Sequence, residues 1–140
     1  MKKIVLPAKI GTLYQVLEFV VAEAKGTFAE ENSIMLELAV EEVFVNIASY
    51  AYEESTGSES IDSVEIECGL EGDLFIIRFI DEGIPFDMTK IQSPDITETA
   101  KEREIGGLGI HLVKEVMDYI HYEYKDKKNI LTMGMTATKQ

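Results

Sequence analysis

Apolar residues change their spacing several times along the chain, and each spacing predicts a different element. Residues 2–6 form a short apolar run that ends at Pro7, as a strand does. Residues 10–25 carry apolar side chains every three or four positions, which is the period of an amphipathic helix. Gly26 follows at the place where a glycine commonly ends a helix. The chain is therefore expected to begin with a strand and a helix.

A second helix is predicted over residues 34–48, with Asn32 or Ser33 as its N-cap. This segment is apolar around much of a helical circumference, so the helix is expected to lie deep against a sheet. Glu41 and Glu42 are unusual on such a helix and call for an explanation.

Two strands follow a connection over residues 53–63 that is rich in Ser, Glu and Gly. Residues 64–70 and 74–80 are largely apolar on either side of a short turn, which predicts an antiparallel hairpin. Residues 84–105 are polar and show no steady period. Structureless segments of that length are uncommon in compact domains and are usually functional or mobile.

The last third of the chain predicts a helix and a second hairpin. Gly106, Gly107 and Gly109 stand directly before an apolar stripe with helical spacing, and strands are expected at 119–125 and 129–136 with residues 127–128 at the turn between them. No internal repeat or linker interrupts this order. The sequence thus predicts one α/β domain over residues 1–140, an α+β two-layer sandwich with helices on one face of a mostly antiparallel sheet.

Composition narrows the function classes. The formal net charge of −13 argues against non-specific nucleic-acid binding, which depends on Lys and Arg that neutralise phosphates. No stretch reaches the roughly 20 apolar residues that span a bilayer, and the run before Pro7 is too short for a signal peptide. Cys68 is the single cysteine, which excludes an internal disulfide and fits a reducing compartment. A cytoplasmic protein without a membrane or nucleic-acid partner is expected.

Glu42 and Asn46 form the first candidate constellation, because four residues of separation place them on one helical face. A carboxylate and an amide in this arrangement can deprotonate a hydroxyl and give an oxygen to a divalent cation. The alternative is a solvated polar edge on an otherwise buried helix.

Asp81 and Gly83 form the second constellation, at the point where an apolar strand ends. Ligands gather at strand ends in α/β proteins. A carboxylate there can accept a hydrogen bond from the exocyclic amine of adenine, and a glycine lets the base approach the backbone. The alternative is an ordinary turn favoured by Asp.

The glycines before the last helix form the third constellation. Backbone N–H groups at a helix start lack internal partners, and glycines allow an anion to come close. The alternative is a flexible loop that leads into a core helix. The Walker pattern is absent, and no strand leads into these glycines as a dinucleotide fingerprint requires.

In this order the three constellations resemble the N, G1 and G2 boxes of the GHKL ATPase superfamily, and within it the small anti-sigma-factor serine/threonine kinases. The segments that carry the resemblance are A-V-E-E-V-F-V-N-I-A-S-Y-A-Y, D-E-G-I-P-F-D and G-G-L-G-I-H-L-V-K-E-V-M-D. The match extends over nearly the whole chain. Three ordered boxes are a specific signal, whereas one alone is not.

The resemblance implies a role for each matching position. Glu42 is implied as the general base and Asn46 as the ligand of a Mg²⁺ ion that bridges the ATP phosphates. Asp81 and Gly83 are implied to recognise adenine. The remaining ATP-binding positions are a mobile lid over residues 84–105, with Lys101 and Arg103 reaching towards the phosphates, and a phosphate-binding loop and helix start formed by Gly106, Gly107, Leu108, Gly109 and Ile110.

The implied activity is phosphorylation of a serine or threonine on a small anti-sigma-factor antagonist, together with sequestration of a sigma factor, by a protein whose relatives are commonly homodimers. Val45 and Tyr50 depart from the family, in which Thr often precedes the Asn and His often follows it by four residues. A non-catalytic module that binds ATP or ADP and switches protein partners is therefore the alternative.

Overall fold

The computed structural model of the protein describes residues 1–51, 63–90 and 107–138. Within these residues, five strands and three α-helices form the main elements, and 3₁₀ turns lie at Ile10–Thr12 and Met88–Lys90 and a π-helical turn at Ile47–Ala51. In chain order the main elements are β1 (Lys2–Pro7), α1 (Leu13–Ala24), α2 (Glu30–Asn46), β2 (Ser63–Glu71), β3 (Leu74–Asp81), α3 (Gly107–Val116), β4 (Tyr119–Lys125) and β5 (Lys128–Thr136).

The five strands form one sheet in the order β1-β2-β3-β5-β4, and all four neighbouring pairs are antiparallel. A single isolated bridge between Phe28 and Thr138 is the one parallel pairing within the described residues. Both predicted hairpins are present, as β2–β3 and β4–β5. The prediction of a mostly antiparallel sheet is confirmed.

The register of the sheet separates an apolar face from a charged one. Side chains alternate between the two faces of a strand, and the core residues of the three central strands lie on one of them: Val64, Ile66, Cys68, Phe75, Ile77, Phe79, Leu131, Met133 and Met135. Arg78 lies on the opposite face. Its Nη1 is 2.9 Å from Oε1 of Glu67, and its Nε donates to Oγ1 of Thr132 at 3.2 Å.

The three helices cover the apolar face. Helix α2 packs against both α1 and α3, and it contributes the fully buried Leu36, Val40, Val43 and Phe44 to the same core as the sheet. The predicted layering of helices on one face is therefore confirmed. The last turns of α2 lie close to both the sheet, through Asn46, and the start of α3, through Glu42.

The predicted N-cap of the second helix is wrong. Helix α2 begins at Glu30, with Ala29 as its N-cap residue, so Asn32 and Ser33 lie inside the first turn. The Ser33 N–H donates to the Ala29 carbonyl at 2.9 Å, which extends the helix upstream of the apolar period. Two carboxylates in the first turn, Glu30 and Glu31, favour this start because they complement the helix dipole.

Two further predictions need adjustment. Ile34 and Leu38 of α2 are 51% and 41% exposed, so the helix is less deeply buried than its composition indicated. The β4–β5 turn is formed by Asp126 and Lys127, both with positive φ (54° and 65°), and Lys128 already belongs to β5. A two-residue turn with positive φ at both positions matches the right-handed twist of a hairpin.

Candidate functional site

Asp81 is the last residue of β3 and is buried, with 7% of its surface exposed. Its Oδ1 accepts two hydrogen bonds: one from the Gly83 N–H at 2.8 Å and one from Nδ2 of Asn129 at 3.0 Å. The first closes a tight turn of the kind that Asp favours. The second is possible because Asn129 stands directly opposite Asp81 in the β3–β5 register. The carboxylate is thus held in place at the end of a central strand.

Asn129 also anchors the chain that follows β3. Its Nδ2 donates to the carbonyl of Ile84 at 3.0 Å and faces that of Gly83 at 3.3 Å. Its Oδ1 accepts the Phe86 N–H at 3.1 Å and the hydroxyl of Tyr122. Burial raises the pKa of Tyr122, with the charges of Asp87 and Asp81 adding to the effect, so its hydroxyl keeps the proton that it donates.

A cavity of about 260 Å³ opens beside this network. Its volume lies just below the usual range for small-molecule sites, about 300–1,000 Å³, and its walls follow the usual pattern of an apolar lining with few polar groups. The wall residues that matter here are Asn46, Ile47, Phe79, Asp81, Phe86 and Leu131. Such a cavity suits a flat heteroaromatic group that presents a hydrogen-bond donor to Asp81.

Asn46 is the last residue of α2 and brings a polar group to this cavity from the helix side. Only 5% of its surface is exposed, and its Nδ2 is buried with no hydrogen-bond partner among the described residues. Buried polar groups are nearly always paired, and an orphan in a native protein calls for an explanation. A ligand polar group in the cavity would supply the missing partner.

Glu42 lies one helical turn before Asn46 and contacts the start of α3. A Cβ built on Gly109 would lie 1.9 Å from Oε2 of Glu42 and 2.5 Å from its Cδ, so this carboxylate occupies the space that any side chain at position 109 would fill. Partial burial raises the pKa of Glu42 above its usual 4.5, and the neighbouring charge of Glu41 adds to the shift. A half-buried carboxylate with increased proton affinity suits a general base.

Helix α3 begins at Gly107, in the predicted glycine segment. Ile110 is fully buried and packs in the core, which anchors the first turn of α3. Gly107, Gly109 and Ile110 therefore offer backbone N–H groups at a helix N-terminus, next to the Glu42 carboxylate. Lys101, Arg103 and Gly106 lie outside the described residues, as do residues 91–105 of the predicted lid.

The polar groups of the site also bear on whether it can hold a divalent cation. The described residues contain no group of three or more His, Cys, Asp or Glu side chains that could hold a metal ion. Mg²⁺ does not need one, because it is commonly bound by one or two protein oxygens together with substrate phosphates and waters. Asn46 can turn its amide oxygen towards such an ion, because the terminal amide rotates and no described residue holds its nitrogen. The residues present fit a Mg²⁺ ion that arrives with a phosphate ligand.

The family described as "Histidine kinase-like ATPase domain" matches residues 6–135 of this sequence. The chain belongs to that family. The match extends over most of the chain, so the resemblance to the GHKL superfamily and the expected fold class are both confirmed.

Curated relatives include "Serine-protein kinase RsbW" of Bacillus cereus (strain AH187), which is 28% identical over 108 residues, and the protein of the same name of Bacillus mycoides (strain KBAB4), which is 27% identical over 108 residues. Each alignment covers 74% of this chain and 64% of the relative, so the chain accounts for less than two thirds of the length of these kinases. Among solved structures, "Acinetobacter baumannii histidine kinase AdeS" aligns with a TM-score of 0.49 and 13% identity, covering 98% of this chain and 68% of that one.

Asn129 and Tyr122 are residues of this site that the sequence alone did not single out. A usable signal was present for Asn129. It is the one amide in a predicted strand of largely apolar residues, and the hairpin pattern places it on the buried face. Its pairing with Asp81 depends on β5 lying next to β3, which the order of the elements does not specify.

No helix in the described ranges is long and apolar enough to cross a membrane.

Proposed function

We propose that this histidine kinase-like ATPase domain binds Mg-ATP and transfers the γ-phosphoryl group to a serine or threonine hydroxyl of a small protein substrate. The observation that carries the proposal is the arrangement of α2. Its Asn46 lines the cavity that contains Asp81, while Glu42, one turn earlier, touches the start of α3 at Gly109. One helix therefore links a base-sized cavity to an anion-binding helix start.

The cavity is assigned to adenine. Asp81 is buried and ionisable, and its carboxylate accepts the exocyclic amine of the base as a charge-assisted hydrogen bond. Phe79, Phe86 and Leu131 supply apolar walls for the ring. Guanine presents a carbonyl oxygen at the same position, which would face the Asp81 carboxylate as a second acceptor. The site therefore favours adenine.

The phosphates are assigned to the N-terminus of α3. Unpaired N–H groups and the positive end of the helix dipole favour negative charge there. With a net charge of −13, the protein needs a local device of this kind to hold a polyphosphate. Asn46 would hold Mg²⁺ between the phosphates and the protein, and the bound ion would offset their charge.

Glu42 is assigned as the general base. Its carboxylate takes the proton of the substrate hydroxyl as that oxygen attacks the γ-phosphorus. The bond from the γ-phosphorus to the bridging oxygen breaks, and ADP leaves with the electron pair. Phosphoryl transfer depends chiefly on positioning and electrostatics. The raised pKa of Glu42 assists it because proton transfer is most effective when the pKa of the base lies near the working pH.

The substrate is proposed to be an anti-sigma-factor antagonist, and the protein is proposed to sequester a sigma factor as a cytoplasmic homodimer. The likeness to serine-protein kinases supports the substrate class. The acidic surface supports a partner with a basic docking face, because complementary charge speeds encounter and fixes orientation.

The test uses ATP labelled at the γ-phosphate and purified antagonist candidates encoded beside this gene. Wild type is expected to label one of them on a serine or threonine, and Glu42→Gln to lower the rate by about 100-fold or more, within the range that general-base catalysis contributes. Gly11→Ala is a matched folding control, since nothing lies within 4 Å of a Cβ there. Labelling that Glu42→Gln leaves at the wild-type rate would refute the role of Glu42.

The second candidate function is a non-catalytic module that changes partners when it binds ATP or ADP. Calorimetric titration with Mg-ATP, together with the transfer assay, distinguishes it from the kinase. Val45 replaces the threonine that commonly precedes the asparagine in relatives, which favours this alternative. Tight nucleotide binding without transfer to any candidate would support it. Failure to bind adenine nucleotides would contradict both functions.

A further inference from the structure

Asn129 is a buried polar residue at the start of β5 to which the proposed chemistry gives no role. It is 8% exposed and lies on the core face of the sheet, directly opposite Asp81. Such a position is usually apolar, because a buried amide without partners costs about 1–3 kcal/mol. The hydrogen bonds of Asn129 must therefore offset the cost of burying its amide.

Those bonds engage both ends of the amide. Nδ2 faces three acceptors: Oδ1 of Asp81 at 3.0 Å and the carbonyls of Gly83 and Ile84 at 3.3 Å and 3.0 Å. Oδ1 accepts two donors, the N–H of Phe86 at 3.1 Å and the hydroxyl of Tyr122. With acceptors on one side and donors on the other, the orientation of the amide is fixed.

Few other side chains can make this set of contacts. Aspartate at position 129 would place a second carboxylate against Asp81 and two carbonyl oxygens. Threonine or serine offers a single hydroxyl, which donates only once. Leucine has a similar shape and no polar atom. An amide is therefore required if the contacts themselves have a function.

One consequence concerns the Asp81 carboxylate. Within the described residues, this carboxylate accepts two hydrogen bonds, one from the Gly83 N–H and one from Asn129 Nδ2. Both go to Oδ1. This fixes the rotation of the carboxylate and leaves Oδ2 for a ligand in the cavity that Asp81 lines. A second consequence concerns the cavity wall, because Ile84 and Phe86 are tied to the same amide.

From this geometry we infer that Asn129 is a positioning residue for nucleobase selection, which sets the angle of the Asp81 carboxylate and the position of the wall at residues 84–86. The inference rests on the proposed function, since it takes Asp81 to recognise the exocyclic amine of adenine. It adds a specificity determinant on a different strand and assigns Tyr122 a supporting role as the donor that holds the Asn129 oxygen.

The experiment compares the affinities of Mg-ATP and of purine riboside triphosphate, which lacks the exocyclic amine, by calorimetric titration. A hydrogen bond to a charged group corresponds to a preference of roughly 10–100-fold for ATP, which wild type is expected to show and Asp81→Ala to lose. Asn129→Ala is expected to lower the preference to about threefold or less, because an unrestrained carboxylate no longer meets the amine at a fixed angle.

Thr132→Ala is the matched control, since it removes one side-chain hydrogen bond from the same strand but on the opposite face. It is expected to keep the wild-type preference. Tyr122→Phe is the milder variant, which leaves the Asn129 amide in place and removes one of its two donors. Tyr122→Phe is expected to lower the preference for ATP about threefold. If Asn129→Ala does not fold, this variant alone tests the inference.

The outcomes separate the inference from the proposed function. If wild type prefers ATP, Asp81→Ala loses the preference and Asn129→Ala keeps it while weakening both nucleotides equally, Asn129 is merely structural and the inference fails alone. An unchanged preference in Tyr122→Phe, with Asn129→Ala unfolded, also overturns it. A wild type that binds neither nucleotide, or both equally, contradicts base recognition by Asp81 and the inference with it.

Discussion

Replacement of Gly109 by alanine tests whether the contact between α2 and α3 has a catalytic role. A Cβ at this position would lie 1.9 Å from Oε2 of Glu42, 2.5 Å from Cδ and 3.2 Å from Cγ. Ordinary contact begins at 3.4 Å, so the carboxylate oxygen has to retreat by roughly 1.5 Å. All three clashing atoms belong to the outer part of a flexible side chain, which can move without displacing the backbone.

The expected effect on stability is small. Alanine favours a helix over glycine by about 0.5–1 kcal/mol, while a side chain held off its preferred rotamer costs about 0.5–1.5 kcal/mol. These terms nearly cancel, so the melting temperature is expected to stay within about 5 °C of wild type, since 1 kcal/mol corresponds to about 2–8 °C in domains of this size range.

The expected effect on phosphoryl transfer is large. A misplacement of about 1 Å costs on the order of 100-fold in rate, so single-turnover transfer from γ-labelled ATP to the antagonist should fall by about that factor in Gly109→Ala. Calorimetry under the same conditions reports ATP affinity separately. Gly11→Ala, where nothing lies within 4 Å of the added Cβ, controls for glycine replacement itself.

A double-mutant comparison gives the result that would refute this reasoning. If the added methyl acts by displacing Glu42, it should have little further effect once Glu42→Gln has removed the base, because residues that act as a unit are non-additive. The same rate loss in the Glu42→Gln background would show that the methyl disturbs something else, such as the phosphates themselves.

Three further predictions concern single side chains. Glu42→Gln should raise the melting temperature at neutral pH, because the raised pKa of Glu42 means that the ionised form opposes folding; scans at several pH values should show the gain vanish as pH falls below the usual value of 4.5. Burial raises the pKa of the Cys68 thiol to about 12, so at pH 8 the native protein should react with a thiol reagent much more slowly than the unfolded chain. Asn46→Ala should abolish Mg-ATP binding measured by calorimetry while the melting temperature changes little, because the Asn46 Nδ2 has no partner to lose among the described residues.

The sequence predicted those parts of the fold that depend on local periodicity. Alternation and turn residues indicated both hairpins, and a 3.6-residue period indicated three helices. The start of α2 was mispredicted because the helix begins before its apolar period, at Glu30 and Glu31, where the dipole favours acidic residues. Exposure of Ile34 and Leu38 was missed because composition alone does not say which side of a helix meets the sheet.

In the candidate site, too, the sequence predicted relations between neighbouring residues and missed those that depend on packing. Glu42 and Asn46 were identifiable because both lie on one helix, where their spacing fixes their relation. The contact between Glu42 and Gly109 joins residues 67 positions apart and depends on the packing of α2 against α3. Asn129 was missed for a similar reason. Its significance arises from the β3–β5 register, which brings it opposite Asp81.

The two long-range contacts, Asn129 with Asp81 and Glu42 with Gly109, are expected to affect different steps. In the proposed function, Asn129 acts on the nucleobase side through Asp81, and binding of the base would contribute equally to the ground state and the transition state. Glu42 and Gly109 are proposed to lie on the phosphate side, where charge and proton positions would change during transfer. Loss of the contact between Asn129 and Asp81 is therefore expected to raise KM, and loss of the contact between Glu42 and Gly109 to lower kcat. Asn46 lines the cavity and stands one turn from Glu42, so it connects both sides, and both constants should depend on it.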